Sequence, residues 1–371
     1  MRIAFVIPGG VDRSGRHRVV PMFLWLIERL ARRHELHVFV VDYEDRPSEY
    51  PLLGATVRDI GRPPRIPGMR RTFIRRRLEN ALNALEPFDV LHAYWGMPAG
   101  IVAAHLRIRR RTPLILTLDS GELVRLDDIG YGLQRRGVDR RALRFAMTHS
   151  AAVTVSTSFM ATLASAHGVR PTVLPIGVDA SLFPHAVRSE GPPWRLLRVA
   201  SINRVKDYPT LLHAMAHIVS IIPSVHLDVV GEDTLGGAMT TLAASLGLTD
   251  HVTFHRMQPT DRVAELMARA HLHVVSSRHE AAGVTVLEAA CTGLPTVGTA
   301  VGYVSDWRED RAVAVPVGDA RALAAATLDL LRDPDRRLRI GERARDWAVR
   351  HDADWTARQF EDLYARIVTT R

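Results

Sequence analysis

Only one cysteine, Cys291, occurs in the chain, which excludes an internal disulfide and leaves no cysteine cluster for zinc. It reads as a small core residue. Long apolar runs are missing too: Ile3 to Pro8, Met22 to Ile27 and Leu272 to Val275 fall far short of the roughly 18 to 20 residues that span a bilayer. The N-terminus runs from a short apolar stretch into Pro8, Gly9, Gly10, Asp12 and Arg13, without the extended apolar region of a signal peptide. A cytoplasmic protein is expected. Metal motifs are absent as well: there is no HExxH, no CxxC, and no DxD flanked by apolar strand residues. No metal requirement is expected. The last scarcity is lysine, because Lys206 is the single lysine among 49 cationic residues. A position that keeps lysine in an arginine-dominated chain invites inspection.

What is present is an uneven charge. Residues 1–190 hold 28 Arg against 18 acids, whereas residues 191–371 hold 21 cations against 22 acids. The excess lies in three runs: Arg70, Arg71, Arg75, Arg76 and Arg77; Arg107, Arg109, Arg110 and Arg111; and Arg135, Arg136, Arg140, Arg141 and Arg144. Solvated helices are the ordinary reading of such runs, and anionic lipid headgroups or an acidic acceptor are the functional ones. Nucleic acid is not expected, because the arginines lack interleaved aromatics and match no helix-turn-helix or finger pattern.

Short β-rich apolar runs alternate with longer helical patterns from the start: Ile3 to Ile7, Val19 to Arg32, Leu36 to Val41. That alternation signals βαβ units and a parallel sheet. Strands are expected at Val90 to Ala93, Leu114 to Leu118, Ala152 to Ser156 and Thr172 to Leu174, before a polar, proline-rich linker at Ser189 to Pro193. A second series runs through Leu196 to Ala200, His226 to Val230, Val252 to Phe254, Leu272 to Ser276 and Thr296 to Thr299. The expected fold is α/β, with two doubly wound Rossmann-like domains, residues 1–188 and 189–353. A final helix from about Asp354 carries Trp355, Phe360, Leu363, Tyr364 and Ile367 on one broad face, to pack against either domain.

In doubly wound sheets, ligands sit beyond the carboxyl ends of the strands. There the segment SSRHEAAGVTVLEAACTG, Ser276 to Gly293, places Glu280 in a loop, Gly283 at a turn and Glu288 in the second turn of a helix that Gly293 and Pro295 stop. The N-H groups of Gly283, Val284 and Thr285 open that helix, where an anion gains roughly 0.3 to 1 kcal/mol from the dipole. Either carboxylate can accept hydrogen bonds from vicinal hydroxyls of a sugar or a ribose. Spacing alone leaves this reading level with a surface loop in which one glutamate caps the helix and the other faces solvent.

The segment resembles the E-x7-E donor motif of the family 4, GT-B fold glycosyltransferases, with Glu280 and Glu288 in the two glutamate positions. Val230 and Gly231, LGLTDHVTF from Leu246 to Phe254, and LPIGVDASLFP from Leu174 to Pro184 agree with that family in order. The resemblance implies two domains facing across a cleft and a retaining, metal-independent transfer from a nucleotide-diphosphate sugar, a co-substrate rather than a cofactor. It implies that Glu280 holds the donor sugar, Glu288 the ribose, and the amides of Ala282, Gly283, Val284 and Thr285 the phosphate and sugar. Lys206, in SINRVKD, resembles the family's diphosphate-binding lysine. Ser201 stands where the family has its arginine, and Arg204 is the nearest substitute. The loop PGGVDRSG, with Gly9 and Gly10, faces the acceptor in the family; its glycine spacing does not fit G-x-G-x-x-G and so argues against a nicotinamide site. In TLDSGE, Asp119 occupies the position where the family often has histidine, and an aspartate there is able to bind a hydroxyl, take a proton or merely cap a turn. His92, near the same edge, reads as a packing residue. The resemblance implies a glycan or lipid-linked acceptor, and the basic N-terminal runs suggest that a lipid-linked one is reached by docking at the inner face of the membrane. Two other functions suit these features: a nucleotide-sugar epimerase, and a non-catalytic nucleotide-sugar-binding subunit, which Asp119 and Ser201 favour.

Overall fold

The computed structural model describes residues 1–64, 66, 69–85, 87–110 and 112–369, with side chains omitted at 108–110. Arg111 and the side chains of Arg109 and Arg110, from the second basic run, lie outside the described residues. The chain divides into two compact units, Met1–Ile176 with Ala353–Arg371, and Gly177–Asp352.

The first unit contains strands β1 (Arg2–Ile7), β2 (Glu35–Val40), β3 (Ser48–Leu52), β4 (Ala55–Asp59), β5 (Val90–Tyr94), β6 (Leu114–Thr117), β7 (Ala152–Val155) and β8 (Thr172–Val173). Helices α1 (Pro21–Ala31), α2 (Arg70–Asn83), α3 (Ile101–Arg110), α4 (Gly137–Thr148) and α5 (Ser158–Ala166) connect them. The second unit contains β9 (Trp194–Val199), β10 (Val225–Val230), β11 (Val252–Phe254), β12 (Leu272–Val275), β13 (Thr296–Thr299) and β14 (Ala312–Val315). Its helices are α6 (Tyr208–Ile221), α7 (Ala238–Ser245), α8 (Thr260–Arg269), α9 (Val284–Cys291), α10 (Gly302–Asp306), α11 (Ala320–Arg332) and α12 (Pro334–Arg350). The last helix, α13 (Ala353–Thr369), returns to the first unit.

The sheet orders are β3-β4-β2-β1-β5-β6-β7-β8 and β11-β10-β9-β12-β13-β14. All neighbours are parallel except β3 with β4. Central parallel strands are covered on both faces, so their sequences are near-continuous apolar runs, as in Ile3 to Ile7, where every residue is fully buried. The β3–β4 hairpin has no such run: its edge strand carries Pro51, and Gly54 turns it at φ +84°. For that reason the sequence pattern passed over it. β14, an edge strand of four residues with only its two end residues buried, is too short to stand out.

In each sheet the order reverses between two central strands, β1 and β5 in the first, β9 and β12 in the second. Loops leaving such a pair diverge to opposite sides and open a crevice at the carboxyl edge. The division between units falls at Ile176, ahead of the expected linker at 189. Residues 177–188 adhere to the second unit: Ala186 N donates to Thr292 O at 3.1 Å, and Arg188 Nη2 donates to the Thr292 carbonyl at 3.0 Å and hydroxyl at 2.8 Å.

α13 is held by burial of Ala357, Phe360, Leu363 and Tyr364 and by a polar chain through the core. Tyr364 OH lies 2.7 Å from His92 Nδ1, His92 Nε2 2.8 Å from Thr117 Oγ1, and Thr117 Oγ1 2.6 Å from Thr154 Oγ1. His92 is fully buried, and burial holds its pKa down at about 3. The unfolded chain takes up a proton that the fold refuses, so this group's contribution is intact above pH 6.5 and erodes as pH falls from there toward 3. Replacing Tyr364 by Phe keeps the ring but leaves His92 Nδ1 unpartnered, a loss of about 1–3 kcal/mol. Calorimetry should show a melting point lowered by a few degrees; an unchanged one would mean that α13 does not depend on this chain.

Candidate functional site

In the second unit, the loops that leave β9 and β12 meet at the point where the strand order reverses. Asn203 Oδ1 accepts from the N-H groups of Val205 at 3.0 Å and Lys206 at 3.1 Å, folding Arg204–Lys206 into a tight turn. Asp207, at φ +48°, ends that turn and caps α6 by accepting from Thr210 N at 3.4 Å, with a second bond from Thr210 Oγ1 at 2.7 Å. The two loops are joined by Ser276 Oγ donating to Lys206 O at 2.7 Å and by Arg278 N donating to Val205 O at 2.8 Å.

This seam fixes a charged cluster. Lys206 Nζ donates to both oxygens of Glu280, each at 2.7 Å. Ser277 Oγ donates to Glu280 Oε1 at 2.6 Å, and Arg198 Nη2 donates to Ser277 Oγ at 2.7 Å while lying 3.7 Å from Glu280 Oε1. Burial on its own would raise the Glu280 pKa; Lys206 and Arg198 reverse this, and the carboxyl is held at about 2. Two cations around one carboxylate leave the cluster with a net positive charge. An anion beside it is therefore favoured.

The next element supplies donors for one. Gly283, at φ +81°, is the N-cap of α9, and Val286 N turns back to Gly283 O at 2.8 Å. The N-H groups of Val284 and Thr285, in the first turn, have no intrahelical acceptor. The loop is fixed from above by Tyr303 N donating to Ala282 O at 2.9 Å, an approach that requires Gly302, since a Cβ there would lie 2.4 Å from that carbonyl oxygen. Glu288 follows one turn into α9. It is 8% exposed and has no hydrogen-bond or ion-pair partner among the described residues, and burial pushes its pKa up to about 7.

Glu280, Lys206, Glu288 and the amides of Ala282, Gly283, Val284 and Thr285 are thus gathered at one strand edge. Arg204 is not: its side chain is exposed and makes no hydrogen bond or ion pair among the described residues. The arginine beside Glu280 is Arg198, 1% exposed near the carboxyl end of β9. Sequence reading missed it, although the charge inside the apolar run Leu196 to Ala200 was a signal, because a buried guanidinium requires an acceptor of opposite charge. Gly9, Gly10 and Asp119 belong to the first unit. A Cβ on Gly9 would meet Tyr43 at 2.6 Å, and Gly10, at φ +83°, is closed in by Val20 at 2.6 Å, so packing accounts for both glycines. Asp119, 9% exposed, accepts from Ser156 Oγ. Among the described residues no group of three His, Cys, Asp or Glu side chains is placed to hold a metal ion.

Two family models match the chain: Glycosyl transferase 4-like domain over residues 19–177 and Glycosyl transferases group 1 over residues 183–347. Among curated relatives, the N-acetyl-alpha-D-glucosaminyl L-malate synthase of Bacillus anthracis is 30% identical over 46% of this chain and 44% of its own length. The chain thus matches under half the length of that relative. Among solved structures, the sucrose-phosphate synthase of Thermosynechococcus elongatus superposes with a TM-score of 0.85 at 20% identity over 100% of both chains. HepE of Anabaena in complex with UDP-glucose gives a TM-score of 0.74 at 16% identity, over 99% of this chain and 100% of that one. The structural likenesses establish a shared fold.

The unpartnered carboxyl of Glu288 has a measurable consequence. Its folded pKa lies above the ordinary 4.5, so the stability its neutral form supports is fully present below pH 4.5 and is lost as pH rises through about 7. Glu288→Gln removes that loss. The variant should melt higher than wild type well above pH 7, by up to roughly 2–3 kcal/mol in stability, and alike below pH 4.5. Equal melting points at both ends would show the carboxyl to be solvated.

Proposed function

The chain belongs to the family 4 glycosyltransferases of GT-B fold, and on that premise we propose that it transfers a sugar from a nucleotide-diphosphate donor to an acceptor hydroxyl with retention of anomeric configuration. The observation that carries this reading is the Lys206–Glu280–Arg198 cluster set against the first turn of α9, with Glu288 unpartnered one turn beyond. The diphosphate lies at the amides of Gly283, Val284 and Thr285, the ribose hydroxyls on Glu288 and the donor sugar on Glu280.

Counting donors and acceptors supports the assignment. An ammonium has three N-H groups, and Lys206 uses two of them on Glu280. The third is left for a phosphate oxygen. Glu280 accepts three hydrogen bonds from Lys206 and Ser277, and a carboxylate has about four lone-pair sites, so one remains for a sugar hydroxyl. As the glycosidic bond breaks, negative charge builds on the departing diphosphate; fixed cations and amides stabilise it without a metal ion. The acceptor hydroxyl attacks on the face the diphosphate leaves and gives up its proton toward the leaving oxygen. A glycan or lipid-linked acceptor is bound by the first unit. An encounter of its arginine-rich helices with the anionic inner face of a membrane belongs to the same reading. HepE was crystallised with UDP-glucose, which makes UDP-glucose the first donor to try.

Lys206→Ala and Glu280→Ala should each lower turnover by about 10²–10³-fold, the range for removing one preorganised stabilising group, with the melting profile of the first unit unchanged. Nucleotide affinity should rise with pH through about 7, as Glu288 ionises and becomes a better acceptor for ribose. Product NMR should show retained configuration. An inverted linkage would overturn the mechanism, and epimerised donor without nucleotide release would overturn the transferase reading altogether.

A further inference from the structure

We propose that a cavity of about 460 Å³ at the carboxyl ends of β5 and β6 is a subsite for an oxyanion on the acceptor, a phosphate ester or a carboxylate, and that Arg136 is its principal cation. The inference rests on the transferase reading only in naming the ligand an acceptor. The cavity lies wholly within the first unit, beside the reversal of strand order between β1 and β5. Its lining includes Arg70, Arg135 and Arg136, with Trp95 and Tyr131 as its aromatic walls.

The charges around it do not cancel. Arg70 is paired with Asp42, and Asp139, the acid at the start of α4, is paired with Arg71. Arg135 donates to Gly130 O at 2.7 Å and lies 3.4 Å from Asp127. Glu122, the one other carboxylate on the lining, is 2% exposed, and its two oxygens accept from Gly96 N at 2.9 Å and Ser120 N at 2.7 Å. Its acceptors are turned to the backbone. The Arg136 carbonyl accepts from Asp139 N at 3.1 Å and Arg140 N at 3.0 Å, but its exposed side chain makes no hydrogen bond or ion pair among the described residues, so its guanidinium is the unneutralised group at the rim. A planar fork of N-H donors fits a phosphate or carboxylate bidentately.

The walls are also held in advance of any ligand. Trp95 follows β5 with φ +68°, a conformation rare for a bulky residue, and is kept there by Trp95 N donating to Thr117 O at 2.9 Å and Gly100 N donating to Trp95 O at 3.0 Å. Tyr131 closes a short hairpin by exchanging hydrogen bonds with Leu126 at 2.9 and 3.0 Å. Gly121 lets the Tyr131 ring approach, since a Cβ there would lie 2.5 Å from it. Gln134 Nε2 donates to Glu122 O at 2.7 Å and ties the hairpin to the cavity floor. Strain maintained at a strand end next to an uncompensated cation marks a place shaped for binding rather than for packing.

The test titrates the full chain with glycerol, glycerate and glycerol 3-phosphate, which share a skeleton and differ in charge, and separately with neutral and phosphatidylglycerol vesicles. Glycerol 3-phosphate or glycerate should bind more tightly than glycerol, and Arg136→Ala should weaken that binding by about tenfold or more, the loss of one charge-assisted hydrogen bond. If instead the anionic vesicles bind and Arg136→Ala weakens them equally, the same subsite takes a lipid headgroup. Equal affinity for glycerol and its anions, or anion or vesicle binding indifferent to Arg136→Ala, overturns the proposal. A UDP-induced rise in melting temperature, recorded in parallel on both proteins, reports that Arg136→Ala is folded. It also separates the two readings, because loss of the UDP response alone would count against the donor site and leave the anion subsite standing.

Discussion

The second unit depends on one constraint: a guanidinium buried near the carboxyl end of β9 must find negative charge without water. Arg198 meets it through Ser277 and Glu280. An unpaired buried charge would destabilise by several kcal/mol, so the loop after β12 cannot relax independently of β9. Lys206 then closes the cluster from the other loop, and the seam between Ser276 and Lys206 fixes the spacing of the two strand ends. The charge that orders the loops is the charge that favours an anion. Stability and the proposed binding share one set of atoms.

The two glutamates are only eight residues apart, yet their surroundings drive them in opposite directions. Glu280 is surrounded by cations and a hydroxyl and stays ionised to about pH 2; Glu288, buried without a partner, does not ionise until about pH 7. One is an acceptor already engaged by the protein. The other is an acceptor held in reserve, and the fold is destabilised when it ionises. Such separation of two carboxylates by environment is how one site assigns them different work. A ligand that supplies hydroxyl donors to Glu288 would relieve the penalty that the folded protein otherwise carries.

Much of this was legible in the sequence. The alternation of short apolar runs with helical patterns gave two parallel sheets, since central strands covered on both faces have to be apolar along their length. The edge hairpin around Pro51 was not legible, because its strands lack that pattern, and Ala312–Val315, though apolar throughout, is too short to stand out. At the site, Glu280 stands out by its resemblance to a donor motif and Lys206 by scarcity, and their loops do meet. The resemblance puts the family's arginine at Ser201 and makes Arg204 the nearest substitute, whereas the side chain that reaches the cluster belongs to Arg198. Proximity along a turn says little about direction: Arg204 leaves the turn on its exposed side, and alternation along β9 directs Arg198 toward the loop of the neighbouring strand.

That displacement changes what the lone lysine has to do. Arg198, 1% exposed, orients Glu280 but is sealed from any ligand, and the Arg204 side chain has no partner among the described residues. Lys206, with its side chain 22% exposed, is the cation of the cluster that touches both the carboxylate and the open side. Arginine would be a poor substitute at this point. Its planar fork would match the Glu280 carboxylate with two parallel hydrogen bonds and direct its remaining donors in the same plane. An ammonium on a flexible stem has no such plane, so it holds Glu280 with two protons and turns the third elsewhere. In a chain that uses arginine at every other cationic position, the geometry of a shared proton donor is a sufficient physical reason for keeping one lysine.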